Sequence, residues 1–216
     1  MGKCVIVGGA DIGNYERIRS YLNDDDYVVY CDSGLKHMKG LRKEASLIVG
    51  DWDSYDDPHL DVETITLPVE KNDTDTVFAV RECLSRGFSD FLIIGSIGAR
   101  IDHSLVNIYI LTTLENRGCH GIVVDDYSEM QIISGGEKAD GSAETGVAYV
   151  DGSCSFFSLV AMEGTAPGVT ISGAKFNIKD ADIGPDYQYA TSNEVMPDQA
   201  AEIRIKEGRL LLIKVV

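Results

Sequence analysis

Asp51 and Asp53 flank Trp52 in the run Gly50-Asp51-Trp52-Asp53-Ser54. On an extended segment residues two apart project to the same side, so both carboxylates can face one hard cation. Mg²⁺ suits such a pair, because it takes a few carboxylate oxygens and keeps its other positions for water and phosphate. A solvated turn capping a helix is the competing reading. Lys71-Asn72-Asp73-Thr74-Asp75 presents the same choice. It can start a helix, with Asp73 or Thr74 as cap and an acid in the first turn. Alternatively, Asp73 or Asp75 completes a metal site while Lys71 holds a phosphate. A third run, Gly95-Ser96-Ile97-Gly98-Ala99-Arg100-Ile101-Asp102-His103, combines glycines, an arginine and a helix start. Glycines let backbone N–H groups approach phosphate oxygens, and a helix N-terminus favours anions. Arg100 adds a rigid, permanently charged fork. Asp102 takes the N-cap in this reading, and His103 reads as structural. Asp32-Ser33-Gly34 supplies one more acid.

These runs fall where predicted strands of the first half end, which is where open α/β sheets place their ligands. Strands are expected at Lys3–Gly8, Tyr27–Cys31, Ser46–Val49, Val62–Leu67, Asp90–Gly95 and Gly121–Asp125. A helix over Asp73–Arg86 is expected to turn Val77, Phe78, Val80 and Leu84 inward, and Gly87 follows it. A second, over Asp102–Arg117, is expected to bury Leu105, Val106, Tyr109, Leu111 and Leu114, with Gly118 as its stop. Strands alternating with helices predict a parallel sheet covered on both faces. After about residue 125 the helical period vanishes. Met130–Ile133, Gly146–Val150, Ser155–Val160 and Val169–Ser172 read as short strands separated by turns such as Ser134-Gly135-Gly136. Ala201–Lys206 and Arg209–Val215 read as a hairpin around Glu207-Gly208. The fold class is therefore α/β, an N-terminal parallel-sheet domain over 1–125 followed by an antiparallel β-sandwich over 126–216.

Composition narrows the function. The 216 residues carry 35 Asp and Glu against 19 Lys and Arg, a net charge of −16. A surface this negative repels phosphodiester backbones and anionic membranes, so no nucleic-acid or membrane partner is expected. No stretch approaches the roughly 18 apolar residues that span a bilayer. The apolar run within Met1–Gly8 is too short for a signal-peptide core and reads as a first buried strand. The 5 cysteines include no Cys-x-x-Cys pair. They fit reduced core residues and a cytoplasmic location. Neither common nucleotide-loop pattern, Gly-x4-Gly-Lys-Ser/Thr or Gly-x-Gly-x-x-Gly, occurs. His37, His59 and His120 form no ligand spacing, which argues against zinc.

In order, Asp-x-Gly, Gly-Asp-x-Asp-Ser, Asn-Asp-x-Asp, Gly-x-x-Gly-x-Arg-x-Asp-His and a late Ser192-Asn193-Glu194 before the expected terminal hairpin resemble the thiamine pyrophosphokinase family over nearly the whole chain. The resemblance implies transfer of the pyrophosphoryl group of ATP to the thiamine hydroxyl, with Mg²⁺, giving thiamine diphosphate and AMP. It implies an ATP- and Mg²⁺-binding first domain, a thiamine-binding second domain, and a homodimer with thiamine near the subunit interface. Carried over, Asp51, Asp53, Asp73 and Asp75 organise metal and phosphate, with Asp51, Asp53 and Asp75 as ligands and Asp32 nearby. Lys71 and Arg100 neutralise phosphate charge, Asn72 and His103 join the nucleotide site, and Gly95 and Gly98 admit the nucleotide. Ser192 and Asn193 hydrogen-bond the thiamine pyrimidine. Asp75 and Asp102 are both candidates for the base that takes the hydroxyl proton. Tyr187 and Tyr189 are candidates for the aromatic that stacks on thiamine. Ala99 and Ser33 stand where the family usually shows glycine, and Phe176 where a bulkier or more polar aromatic is expected.

Two other functions compete. A nucleotide-sugar glycosyltransferase would use Asp51-Trp52-Asp53 as its metal motif but leaves the Asn72 and Gly95 runs without a task. A non-catalytic module would bind thiamine or nucleotide without turnover.

Overall fold

The computed structural model describes residues 2–52, 60–68, 70, 73–137 and 143–216. The chain divides into two compact units, Met1–Asp126 and Tyr127–Val216.

In the first unit the strands are β1 (Cys4–Val7), β2 (Tyr27–Cys31), β3 (Leu47–Gly50), β4 (Thr64–Thr66), β5 (Asp90–Ile94) and β6 (His120–Val124). They pair in parallel in the order β4-β3-β2-β1-β5-β6. β1 and β3 are buried at every position, as in a sheet covered on both faces. The helices are α1 (Tyr15–Arg19), α2 (Met38–Leu41), α3 (Asp75–Ser85) and α4 (Ile101–Glu115), and a 3₁₀ turn spans Asp32–His37. The strand order reverses between β1, which leads to β2, and β5, which leads to β6, and such a switch point is where a crevice opens at the carboxyl ends of the strands.

The helices correct two expectations. Thr74 caps α3, its hydroxyl accepting from the Val77 N–H, and the buried face is Thr76, Ala79, Val80 and Cys83. α4 buries Ser104, Asn107, Ile110, Leu111, Thr112 and Leu114, whereas Leu105, Val106 and Tyr109 face outward. Apolar residues occupy both sides of this helix, so periodicity alone did not fix its rotation. Two buried polar side chains fixed it by bonding to the neighbouring loop.

The second unit is a β-sandwich. One sheet joins β7 (Ser128–Glu137), β14 (Gly208–Val215) and β10 (Phe156–Ala161), with the short β8 (Ala143–Glu144) on β7. The other runs β12 (Ile178–Ile183), β11 (Ala166–Ser172), β13 (Ala201–Ile205), β9 (Gly146–Val150), all antiparallel. Phe157, Leu159, Leu210 and Leu212 from the first sheet meet Val169, Ile171, Ile203 and Ile205 from the second in one core.

The expected terminal hairpin does not form. β13 pairs with β9 and β11 while β14 pairs with β7 and β10, so Glu207-Gly208 carries the chain across the core from one sheet to the other. Nor is Ser134-Gly135-Gly136 a turn, for it lies within β7. A Cβ on Gly135 would stand 2.1 Å from the Ile205 carbonyl oxygen, so that glycine serves close backbone approach at the sheet crossing.

Candidate active site

A cleft of about 770 Å³ opens at the carboxyl ends of the parallel strands. Asp32, Asp51, Asp73, Asp75, Gly95, Gly98, Arg100 and His103 all line it, so four separate stretches of the chain meet there. Asp53, Lys71 and Asn72 lie outside the described residues.

The loops after β1 and β5 are locked together. The Gly8 N–H donates to the Ile94 carbonyl at 2.9 Å and the Ala10 N–H to the Gly95 carbonyl at 2.8 Å. Gly95 has φ of +58°, and a Cβ there would lie 2.5 Å from the Gly8 carbonyl oxygen; glycine alone meets both demands. From beneath, α4 holds the β5 loop. The Ser104 hydroxyl accepts from the Gly98 N–H at 3.0 Å, and the Asn107 amide donates to the Ser96 carbonyl at 2.8 Å. These two residues are the buried polar face of α4, and they keep the loop's backbone aimed at the cleft.

Asp32 follows β2 at φ +43°, a left-handed conformation that non-glycine residues avoid and that clusters at functional sites. It is buried. Asp51 leaves β3, and the next residue, Trp52, has φ of +60°, outside the extended region. Asp73 is ion-paired with Arg81, and Asp75 opens α3 beside it. Cys31, also on the cleft wall, is a neutral thiol, since burial and the nearby Asp75 push its pKa well up.

Two further assignments change. The N-cap of α4 is Arg100, and Asp102 sits inside the first turn. Asp102 is not among the residues lining the cleft; its carboxylate pairs with Arg100, which holds its pKa well below the usual carboxylate range. His103 is exposed at the cleft rather than packed as a structural histidine.

Sequence reasoning missed the loop Gly8-Gly9-Ala10-Asp11 and Lys36 on the 3₁₀ turn, all of which line the cleft. The glycine pair directly after the first strand was the available signal. His37, buried next to Lys36, anchors this corner. The Ala10 carbonyl 2.8 Å from Nε2 only accepts, so Nε2 carries the proton and Nδ1 accepts from the Tyr15 hydroxyl at 2.7 Å.

In the second unit, Ser192 is exposed with φ of +54°. Asn193 is buried, and its side chain is committed to the protein. Its Oδ1 accepts from the Phe176 and Glu194 N–H groups, both at 3.0 Å, and its Nδ2 donates to the Phe176 carbonyl at 2.8 Å. Phe176 itself is 59% exposed, with the Lys175 ammonium over its ring.

A parallel sheet with glycine-walled, aspartate-rich loops at its switch point is the arrangement of an α/β phosphate-binding protein. Residues 18–123 match the family model described as "Thiamin pyrophosphokinase, catalytic domain", and residues 150–210 match "Thiamin pyrophosphokinase, vitamin B1 binding domain". The chain belongs to the thiamin pyrophosphokinase family, and its activity is that of a thiamine diphosphokinase. Solved structures share the fold. A thiamine pyrophosphokinase from Bacillus subtilis is 18% identical over 99% of both chains with a TM-score of 0.84. That from Geobacillus thermodenitrificans is 20% identical, with 99% of this chain and 97% of the other covered and a TM-score of 0.79. The enzyme from Candida albicans is 11% identical, with 100% and 89% covered and a TM-score of 0.77. No curated protein matches the chain. Nothing in these comparisons supports a glycosyltransferase. Among the described residues no helix is long and apolar enough to cross a membrane.

Proposed function

We propose that the cleft of the first unit binds ATP with Mg²⁺ and that the second unit presents thiamine, the pyrophosphoryl group passing to the thiamine hydroxyl with AMP as leaving group. The observation carrying this reading is the convergence of Asp32, Asp51, Asp73 and Asp75 with two glycine loops and Arg100 around one crevice. Hard carboxylate oxygens are the donor set Mg²⁺ prefers. Among the described residues no group of three or more His, Cys, Asp and Glu is placed to hold a metal ion, so the acids form an open wall. Asp51 would hold the ion together with Asp53, and Asp75 would serve either as a further ligand or as the base. When bound, the ion neutralises charge on the phosphate oxygens of the nucleotide.

The protein's own groups do the rest. Backbone N–H groups of the β1 and β5 loops other than those of Gly8, Ala10 and Gly98, which donate within the protein, receive phosphate oxygens, and Arg100 supplies a fork at the mouth of α4. Positioning and charge compensation are the main demands of phosphoryl transfer. Asp75 is the better candidate for the base, because Asp102 is committed to Arg100. In the second unit, Asn193 supports the reading through Phe176. It fixes that residue's N–H and carbonyl, so an exposed aromatic ring stands at a set position where a flat pyrimidine can stack. Tyr187 and Tyr189 instead lie against each other, ring centroids 4.9 Å apart.

A homodimer accords with the outward apolar face of α4, where Ile101 is 69% exposed and Leu105, Val106 and Tyr109 continue the stripe. Cysteine usage supports a cytoplasmic location, the described cysteines all being free thiols. Incubation with ATP, Mg²⁺ and thiamine tests the chemistry. AMP and thiamine diphosphate should appear in equal amounts, whereas ADP with thiamine monophosphate would mean single phosphoryl transfer.

A further inference from the structure

Lys36 projects from the 3₁₀ turn Asp32–His37 into the cleft, and its Nζ donates to Asp11 Oδ1 at 2.7 Å. Among the described residues lining the cleft, Lys36 and Arg100 are the only permanently positive ones, set among Asp11, Asp32, Asp51, Asp73 and Asp75. Arg100 already spends one edge of its fork, Nε and Nη2, on the single carboxylate of Asp102. A nucleotide triphosphate entering this acidic crevice therefore needs a further cation that can turn to it.

The mount of Lys36 is firm and its tether is weak. The next residue, His37, is fixed by the Ala10 carbonyl and the Tyr15 hydroxyl, so the backbone of the turn is held against the β1 loop. The partner carboxylate of Asp11, by contrast, is 98% exposed in its side chain, and exposed ion pairs contribute little. Breaking such a pair costs little, while an ammonium donating to phosphate in a partly enclosed cleft gains a charge-assisted hydrogen bond.

We infer that Lys36 is a nucleotide-phosphate ligand of this enzyme, held by Asp11 until ATP enters and then exchanging that carboxylate for a phosphate oxygen. The inference rests on the reading that the cleft takes ATP. Its test is calorimetric titration of ATP·Mg²⁺, and separately of inorganic tripolyphosphate, into the wild type and variants, alongside steady-state KM values. Lys36→Met should weaken both ligands roughly tenfold or more, the scale of losing a hydrogen bond to a charged group, and leave the thiamine KM unchanged. Lys36→Arg should keep the affinity, and it serves also if the methionine variant folds poorly. Asp11→Asn should bind ATP at least as tightly as the wild type. Adding Lys36→Met to Asp11→Asn should again cost about tenfold, which separates the loss of the lysine from repulsion by a bared Asp11. An unchanged ATP affinity in Lys36→Met would overturn the inference. So would an equal loss in Asp11→Asn, because the pair would then be a structural link between loops. Wild-type protein that binds neither ligand would instead overturn the reading of the cleft.

Discussion

The guanidinium of Arg100 grips the carboxylate of Asp102 at two points, Nε to Oδ1 at 3.1 Å and Nη2 to Oδ2 at 2.6 Å. The contact holds the Asp102 carboxyl well below the usual carboxylate range. A carboxylate so stabilised is a weak base, whereas general bases work best with a pKa near the operating pH. Asp102→Asn should therefore lower turnover by no more than about tenfold, while Asp75→Asn should lower it roughly 10²–10⁴-fold, the usual contribution of a positioned base. Steady-state AMP formation measures both. Equal losses would return Asp102 to the chemistry.

Three of the four hydrogen bonds that the Asn193 side chain can make go to Phe176 and Glu194, so its removal should act through Phe176. Asn193→Ala leaves the Phe176 and Glu194 N–H groups and the Phe176 carbonyl without their side-chain partner. That should destabilise the second unit by about 1–3 kcal/mol, the cost of stranding buried polar groups. The thiamine KM should rise far more than the ATP KM. Thermal unfolding and paired KM measurements check this, and equal effects on the two substrates would detach Asn193 from the vitamin site. Phe176→Ala should raise the thiamine KM while the fold keeps its stability.

His37 makes stability pH-dependent in a definite direction. Burial, first among the causes, pushes its pKa below 6.5. Between the lowered folded value and the unfolded one the unfolded chain binds more protons, so stability rises with pH across that window. The contribution is complete above about 6.5 and is lost as pH falls through the folded value. Melting temperature should fall on acidification in the wild type more steeply than in His37→Gln. Parallel slopes would show that folding does not lower the His37 pKa.

Gly95 tests the locked loops. Gly95→Ala forces a Cβ to within 2.5 Å of the Gly8 carbonyl and keeps a positive φ. A loss of about 1–3 kcal/mol from the backbone strain alone is expected in chemical denaturation. A variant as stable as the wild type would mean that the β1 and β5 loops are not tightly coupled.

Much of this architecture was legible in the residues, and its failures have physical causes. Short β-rich runs such as Tyr27–Cys31 declared themselves because a doubly covered strand is apolar throughout. Asp32 and Asp51 were legible because each follows such a run, and Asp73 and Asp75 because they open a helix. The face of α4 was not, since Leu105 and Val106 match Ile110 and Leu111 in hydropathy, and the deciding contacts were Ser104 and Asn107 bonding to a loop. The split of β13 from β14 was invisible for a similar reason. Glu207-Gly208 between two apolar runs reads as a tight hairpin, and only the packing of Ile203 against Leu210 and Leu212 across one core shows that the runs face each other from different sheets. Lys36 was passed over because a lone lysine in a short turn carries no periodic signal.

Everything in the reaction depends on carboxylates of distant sequence runs acting together on a metal–nucleotide complex, and Asp51 tests this most directly. Turnover of Asp51→Asn should be measured across a Mg²⁺ titration at saturating ATP and thiamine, beside its far-ultraviolet circular dichroism. The account predicts a wild-type spectrum with turnover reduced by roughly 10²–10⁴-fold, within the range of transition-state losses when a single catalytic interaction is removed, and a raised Mg²⁺ requirement. Wild-type turnover at the wild-type Mg²⁺ concentration would contradict it.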